Sequence, residues 1–448
     1  MKTPIAIYNL WHQGTKTLVS IGGVAFALLL VFMQLGFMGA VSHTATNVLK
    51  KLDCDIVLQA SDYLHLYESS SFDRKWLRVA ANTDGVDSAT PFWIIIQNWR
   101  KLPNGVDLRE LAEAEAADLQ AKAPPDDLFE TQYLPIAVMA MDPDDRVFKE
   151  NVIPCLEKKR EELHRDNALL LDDSTKDDYG AWDGKEFKSE DVELSKNSTI
   201  LERTPEIGGV EFEIIDLFKL GTGLAANGAA IMGKKAFARI YPWDVNSRAS
   251  LGLIRVRPGQ DPAKVARLLR REFRVLEADE SESSDLDNTA LLGLPDFSTG
   301  TAVQVWTLEE ALSRENNRWL GETPIGLIFQ MGVAISLLVG AAIVYMVLST
   351  DVANRLPEYA TLLAMGYSRY YLVGIVMTQA LVLCGLGFLT SWALGEILYR
   401  VTTRLSGIPL IMTPPTVILV AVLGLLMCVV SGLLALRKLW KAEPASLF

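Results

Sequence analysis

The residues able to do chemistry in this sequence are few and scattered. His12, His43, His65 and His164 show neither an HExxH pattern nor any paired spacing that would hold zinc. No serine stands in a GxSxG elbow, and no GxxxxGK[ST] loop is present to cradle nucleotide phosphates. Gly221 to Ala226 (Gly-Thr-Gly-Leu-Ala-Ala) is a fragment of a dinucleotide pattern without the flanking βαβ unit, and reads as a loop. The acidic pairs Asp172-Asp173 and Asp177-Asp178 offer oxygens of the kind calcium takes, but not in EF-hand order, so a solvated loop is expected. Cys384 and Cys428 fall in apolar runs and read as small packing residues, while a Cys54–Cys155 disulfide stays open. The expectation is a non-enzymatic chain with no catalytic, cofactor-binding or metal-binding residues.

One polar stretch remains, Asp351 to Tyr370, between two long apolar runs. Pro357 suits the first turn of a helix, Glu358 there complements the helix dipole, and Gly366 is a natural stop. Leu356, Tyr359, Leu362, Leu363 and Met365 give that helix an apolar side. Such a helix rests on lipid or docks into a groove of a cytoplasmic protein. The residues themselves leave both readings open.

The flanking runs decide where this helix sits. Gly326 to Ser349 and Leu372 to Ile397 are long enough to cross a hydrocarbon core of roughly 30 Å at about 1.5 Å per residue. Thr17 to Val41 is uncharged throughout. It is too long for a signal-peptide core of about 7–15 residues, although Gly39-Ala40-Val41-Ser42 has the small residues of a cleavage site. Gly22, Gly23, Gly36 and Gly39 offer it small-residue faces for packing. Thr416 to Leu436 supplies a fourth span. Expected boundaries are therefore a 1–16 lead-in, spans at 17–41, 324–350, 371–397 and 416–436, a 351–370 cytoplasmic helix, a 398–415 outer loop and a 437–448 tail. Lys2, Lys16, Arg355, Arg369, Arg437, Lys438 and Lys441 lie on the terminal side, against Arg400 and Arg404 on the other. That asymmetry puts both termini and the 351–370 helix in the cytoplasm.

Residues 42–323 hold 34 basic and 51 acidic residues, a net charge of −17 that argues against a nucleic-acid surface. On this topology they form a large extracytoplasmic domain of α+β class. Strands are expected at Asp55–Gln59, Phe92–Trp99, Tyr133–Met141, Ser250–Arg257 and Ala302–Trp306. Helices are expected at Leu108–Lys122, Leu156–Arg165 and Asp261–Phe273. Residues 172–240 read as a β-rich insertion and Glu277–Asp287 as an acidic loop. Thr307-Leu-Glu-Glu310 is a capping box. It opens a helix that could run through 322 into the second span as one lever.

Asp351-Val-x-x-Arg355-x-x-Glu358-Tyr-Ala-Thr-Leu362-x-Ala-Met-Gly366 resembles the cytoplasmic loop of FtsX-like, or MacB-like type VII, ABC permeases, and is most similar to the DevC-type branch. His12-Gln13, Phe32 to Phe37, Leu52 to Val57 and the ending Leu436 to Phe448 carry the same resemblance. The family more often has Asp where Glu443 stands, and residues 100–130 and 172–212 match no pattern of it. The resemblance implies four transmembrane helices with a MacB-like periplasmic domain between the first and second, in the bacterial inner (plasma) membrane. It implies a homodimer that docks a separate cytoplasmic ABC ATPase through Arg355, Glu358, Tyr359, Thr361, Leu362, Ala364, Met365 and Gly366. By mechanotransmission, ATP hydrolysis there would move the periplasmic domain and export or extract a lipid-like or other substrate. A periplasmic adaptor (membrane-fusion) protein and an outer-membrane channel would complete the exporter; no cofactor is implied. The alternative is an FtsX-like regulator that gates a cell-wall hydrolase, or a lipoprotein-release permease.

Overall fold

The computed structural model describes residues 14–101, 132–175, 179, 205–221, 226, 228–284, 303–406 and 408–441. The expected helix Leu108–Lys122, the acidic pair 177–178 and the chain ending lie outside them. The chain divides into two compact units, one formed by Met1–His43 with Trp319–Phe448 and the other by Thr44–Arg318.

The second unit begins in the last turns of α1 (Gly14–Lys51), which continues ten residues past the expected end of the first span. Those turns stay helical because Val48 and Leu49 enter the domain core. Then follow β1 (Ile56–Ala60), β2 (Phe72–Asp73), α2 (Lys75–Asn82), β3 (Val86–Lys101) and β4 (Gln132–Met141). Next come α3 (Pro154–Lys158), α4 (Arg160–Leu163), β5 (Ala168–Asp172), β6 (Glu206–Ile207), β7 (Val210–Glu211), β8 (Glu213–Phe218) and β9 (Ala229–Gly233). α5 (Lys234–Phe237), β10 (Arg248–Ala249), β11 (Leu251–Val256), α6 (Pro262–Ser284), β12 (Val303–Thr307) and α7 (Leu308–Asn317) complete the unit.

Ten of these strands make one sheet in the order β12-β1-β11-β3-β4-β9-β5-β8, with β6 attached to β3 and β7 to β6; β2 and β10 pair separately. β3 unites the sheet, pairing through Val86–Phe92 with β11 and through Trp93–Lys101 with β4. Side chains alternate across the pleat. Val57, Leu253, Ile94, Met139 and Ile231 share one face with the end of α1 and with Ala311 of α7. Ile56, Leu58 and Ile254 point the other way, under Trp76 of α2 and Val265, Leu269 and Phe273 of α6. Trp93, Val138, Leu169 and Met232 continue that second face under Phe237 of α5.

The described part of 172–240 is not an inserted subdomain. β9 lies inside the main sheet, parallel to β4 and antiparallel to β5. Its Ala-Ala-Ile-Met-Gly is buried throughout, so it needs neighbours on both sides. Asp172 is buried and accepts the N–H groups of Ser174, Leu220 and Gly221, so its carboxylate closes a turn. Burial raises its pKa, opposed by those hydrogen bonds. Residues 277–284, read as loop from their acids and serines, continue α6. Cys54 and Cys155 are not disulfide-linked.

The capping box at Thr307 is present: its hydroxyl accepts from Glu310 N–H at 3.3 Å, and Glu310 Oε2 accepts from Thr307 N–H at 2.9 Å. The helix it starts does not run on into the second span. α7 ends at Asn317, Arg318–Glu322 form one turn of π-helix, and Thr323 is extended (φ −92°, ψ 153°). Pro324 enforces the break, because its ring disfavours the helical region for the residue before it.

The membrane unit holds the rest of α1 with α8 (Pro324–Asn354), α9 (Leu356–Ala364), α10 (Arg369–Ser406) and α11 (Pro414–Lys441). α1, α8, α10 and α11 are each long and apolar enough to cross a membrane. Val24, Leu28, Phe32, Val344, Leu383, Val420 and Cys428 form their common core. Gly23 and Gly36 face neighbouring helices, with the Tyr399 ring over Gly36, whereas Gly22 and Gly39 face open space. α10 runs nine residues beyond the expected limit at 397, leaving only 407–413 between helices. Arg400 and Glu396 pair at 2.8 Å one turn apart, which carries the helix past the end of its apolar run.

Candidate docking site between the second and third spans

α8 stops at Asn354 and α9 starts two residues later, so the expected 351–370 helix is Leu356–Ala364 flanked by the ends of two spans. Arg355 forms the joint. Its Nε donates to Asp351 Oδ1 at 3.0 Å, and its Nη1 lies 3.5 Å from Glu358 Oε2. The Arg355 side chain is only 10% exposed. Desolvation works against its charge, but the hydrogen bond it donates to Asp351 and the charges of Asp351 and Glu358 outweigh it and raise the pKa. Arg355 therefore ties the end of α8 to the first turn of α9.

Tyr359 sits one turn on and is 2% exposed, packed on Val352 of α8 and Leu372, Ile375 and Val376 of α10. Burial, then the Asp351 carboxylate, pushes its phenol up to about 12. Leu362 is half-buried against the same cluster. At the far end Gly366 takes φ +89°, and Tyr367 N–H closes on Leu362 O at 3.1 Å. That is a Schellman stop, which favours glycine because a Cβ is strained at this φ.

The expected docking residues thus divide by face. Arg355, Tyr359 and Leu362 turn inward and hold the helix to its own bundle. Glu358 and Met365 are 67% and 62% exposed, with Thr361 and Gly366 exposed beside them. Ala364 lies in the last turn of α9. The apolar side expected from Leu356 to Met365 does not hold together, since Met365 points away from Tyr359. Sequence reasoning missed Asp351 as an anchor, although its i,i+4 spacing to Arg355 carried the signal. Among the described residues, no three His, Cys, Asp or Glu side chains cluster as a metal site would require.

No curated protein matches the chain. Two solved structures are similar to part of the chain. One is the extracellular domain of the noncanonic ABC-type transporter YknZ from Gram-positive bacteria, at 11% identity and a TM-score of 0.29, over 57% of this chain and 99% of that one. The other is the periplasmic region of MacB from Actinobacillus actinomycetemcomitans, at 8% identity and 0.30, over 58% and 92%. Residues 331–444 match the FtsX-like permease C-terminal family, a stretch that contains all of α9 and most of the two spans that hold it.

Proposed function

We propose that this chain is the permease subunit of an ABC-type machine and docks a separate cytoplasmic ATPase through the outward face of α9. The observation that carries the reading is the division of that helix. Arg355 and Tyr359 fix it to the ends of α8 and α10, while Glu358, Thr361 and Met365 are left facing out within an FtsX-like stretch. A presented helix rigidly tied to two spans can pass a push from a partner into the membrane bundle. The break at Thr323 makes the outward path a jointed link, so movement of the 44–318 unit by mechanotransmission would go through that joint. In its finer form the reading is of a DevC-type homodimer in the inner membrane, with lipid-like or other cargo handed to a periplasmic adaptor and an outer-membrane channel.

Affinity purification of the intact protein in detergent is expected to bring down an ABC ATPase. Glu358→Lys and Met365→Asp should each reduce that recovery at least about tenfold, as loss of a central interface contact does, with membrane insertion and Tm unchanged. Wild-type recovery of the ATPase with both variants would remove the docking role. Topology has its own test. A cysteine at Ser284 should react with impermeant maleimide added to whole cells and one at Asn354 should not; the reverse pattern would invert the proposed orientation.

A further inference from the structure

We propose that the outward face of α6 is a docking strip for an acidic amphipathic helix of a partner protein. Lys264, Arg267, Arg271 and Arg274 recur at helical spacing and are all exposed. Leu268 and Val275, 44% and 62% exposed, lie among them. The six residues form three pairs seven apart: Lys264 with Arg271, Arg267 with Arg274, and Leu268 with Val275. That period is the one by which two helices keep an apolar seam in register, with flanking charges choosing the partner.

The strip is built on a fixed platform. Val265, Ala266, Leu269 and Phe273 fill the core on the opposite side of the helix, with Phe273 4.9 Å from the Trp76 ring. Arg270, the one cation on this stretch that turns aside, donates to Val305 O at 2.9 Å and Glu310 at 2.6 Å. Glu272 accepts from Thr83 Oγ1 at 2.5 Å, which draws the nearest acid away from the strip. The four outward cations make no ion pair among the described residues.

Charge selects the occupant. Residues 42–323 carry −17, so four neighbouring cations with two aliphatic side chains between them are a local inversion of the field. A second copy would bring the same cations face to face across a two-fold axis. An anionic lipid surface would be repelled by the rest of the domain. The strip also has no aromatic residue, and two aliphatic side chains give little to insert. An acidic helix with one apolar seam answers both the charge and the period, and arginines at such a seam are frequent interface hot spots.

The test uses the full-length protein in detergent and a fluorescent synthetic helix of about 21 residues, with leucine at every seventh position and glutamates flanking it. Fluorescence anisotropy should show it binding about tenfold or more tightly than a scramble of the same composition. Binding should weaken with salt. The variant Arg267→Glu/Arg271→Glu/Arg274→Glu and the variant Leu268→Ser should each lose about tenfold in affinity at unchanged Tm. No binding, equal binding of the scramble, or unaltered binding by these variants would overturn the proposal. Displacement of the peptide by phosphatidylglycerol vesicles would overturn it in favour of a lipid contact. The Glu358→Lys variant keeps the strip, so failure of ATPase docking and failure of this strip give separate results.

Discussion

Replacing Gly326 by valine is expected to cost about 3 kcal/mol, the upper part of the range for forcing atoms into an occupied space. A Cβ at this position falls inside the van der Waals envelope of the Leu320 carbonyl and only 2.7 Å from Leu320 Cα. These neighbours are backbone, so no rotamer change relieves the clash. The Leu320 carbonyl is also held in place, accepting from Gln330 Nε2 at 3.1 Å, while Thr323 Oγ1 donates to Trp319 O at 2.6 Å. The whole turn from Trp319 to Gln330 would have to shift. Gly321, five residues earlier, supplies the control: a Cβ there meets nothing within 4 Å, so Gly321→Ala should be close to neutral. Thermal unfolding in detergent separates the two. Equal Tm values for Gly326→Val and the parent would mean that the turn is looser than described. On the proposed function, ATPase recovery should survive the substitution, because residues 355–366 are untouched.

The π-turn was not legible in the sequence, although Pro324 marked the break after it, and the reason is general. Apolar run length reports where hydrocarbon begins and ends, which is why the four spans could be read. It does not report where a helix ends: α1 continues into a protein core, and α10 continues on an ion pair between Glu396 and Arg400. Strand positions were readable from β-branched and aromatic runs, but their order was not. β1 lies between β11 and β12, so Val57 has Leu253 on one side and Trp306 on the other, pairings that no local pattern encodes. At α9 the residue types pointed to an amphipathic element. Which side belonged to the bundle was decided by Leu372, Ile375 and Val376 of another span. Acidic composition misled twice, at residues 277–284 and at Asp172, because a charge reads as solvated until its partners are known.

Glu315 is a buried acid of the same kind, and removing it should be strongly destabilising to the outer unit. On an amphipathic helix it reads as surface, yet it is 2% exposed. Its Oε2 accepts from the Tyr63 hydroxyl at 2.7 Å and its Oε1 from Leu66 N–H at 3.0 Å. It therefore pins the last turn of α7 to the 61–70 loop. The first turn of α7 is held by Arg270 on Glu310, and in the last turn Arg314 stacks 4.1 Å over the Trp306 ring. Burial, then the Glu315 charge, drives the Tyr63 phenol well above its ordinary range, so it stays a donor at any physiological pH. Glu315→Ala strands the Leu66 amide and the Tyr63 hydroxyl, and is expected to cost about 2–6 kcal/mol at about 1–3 for each unsatisfied donor. Tyr63→Phe removes one hydrogen bond to a charged acceptor, about 1.5–3 kcal/mol. If the pin acts as one unit, the double variant should cost clearly less than the sum of the two, with a coupling energy of about 1 kcal/mol or more. Unfolding in detergent gives the three values, and hydrogen exchange at the Leu66 amide should accelerate only where Glu315 is lost. A Glu315→Ala protein as stable as the parent, with Leu66 still protected, would show that α7 is held by its first turn alone.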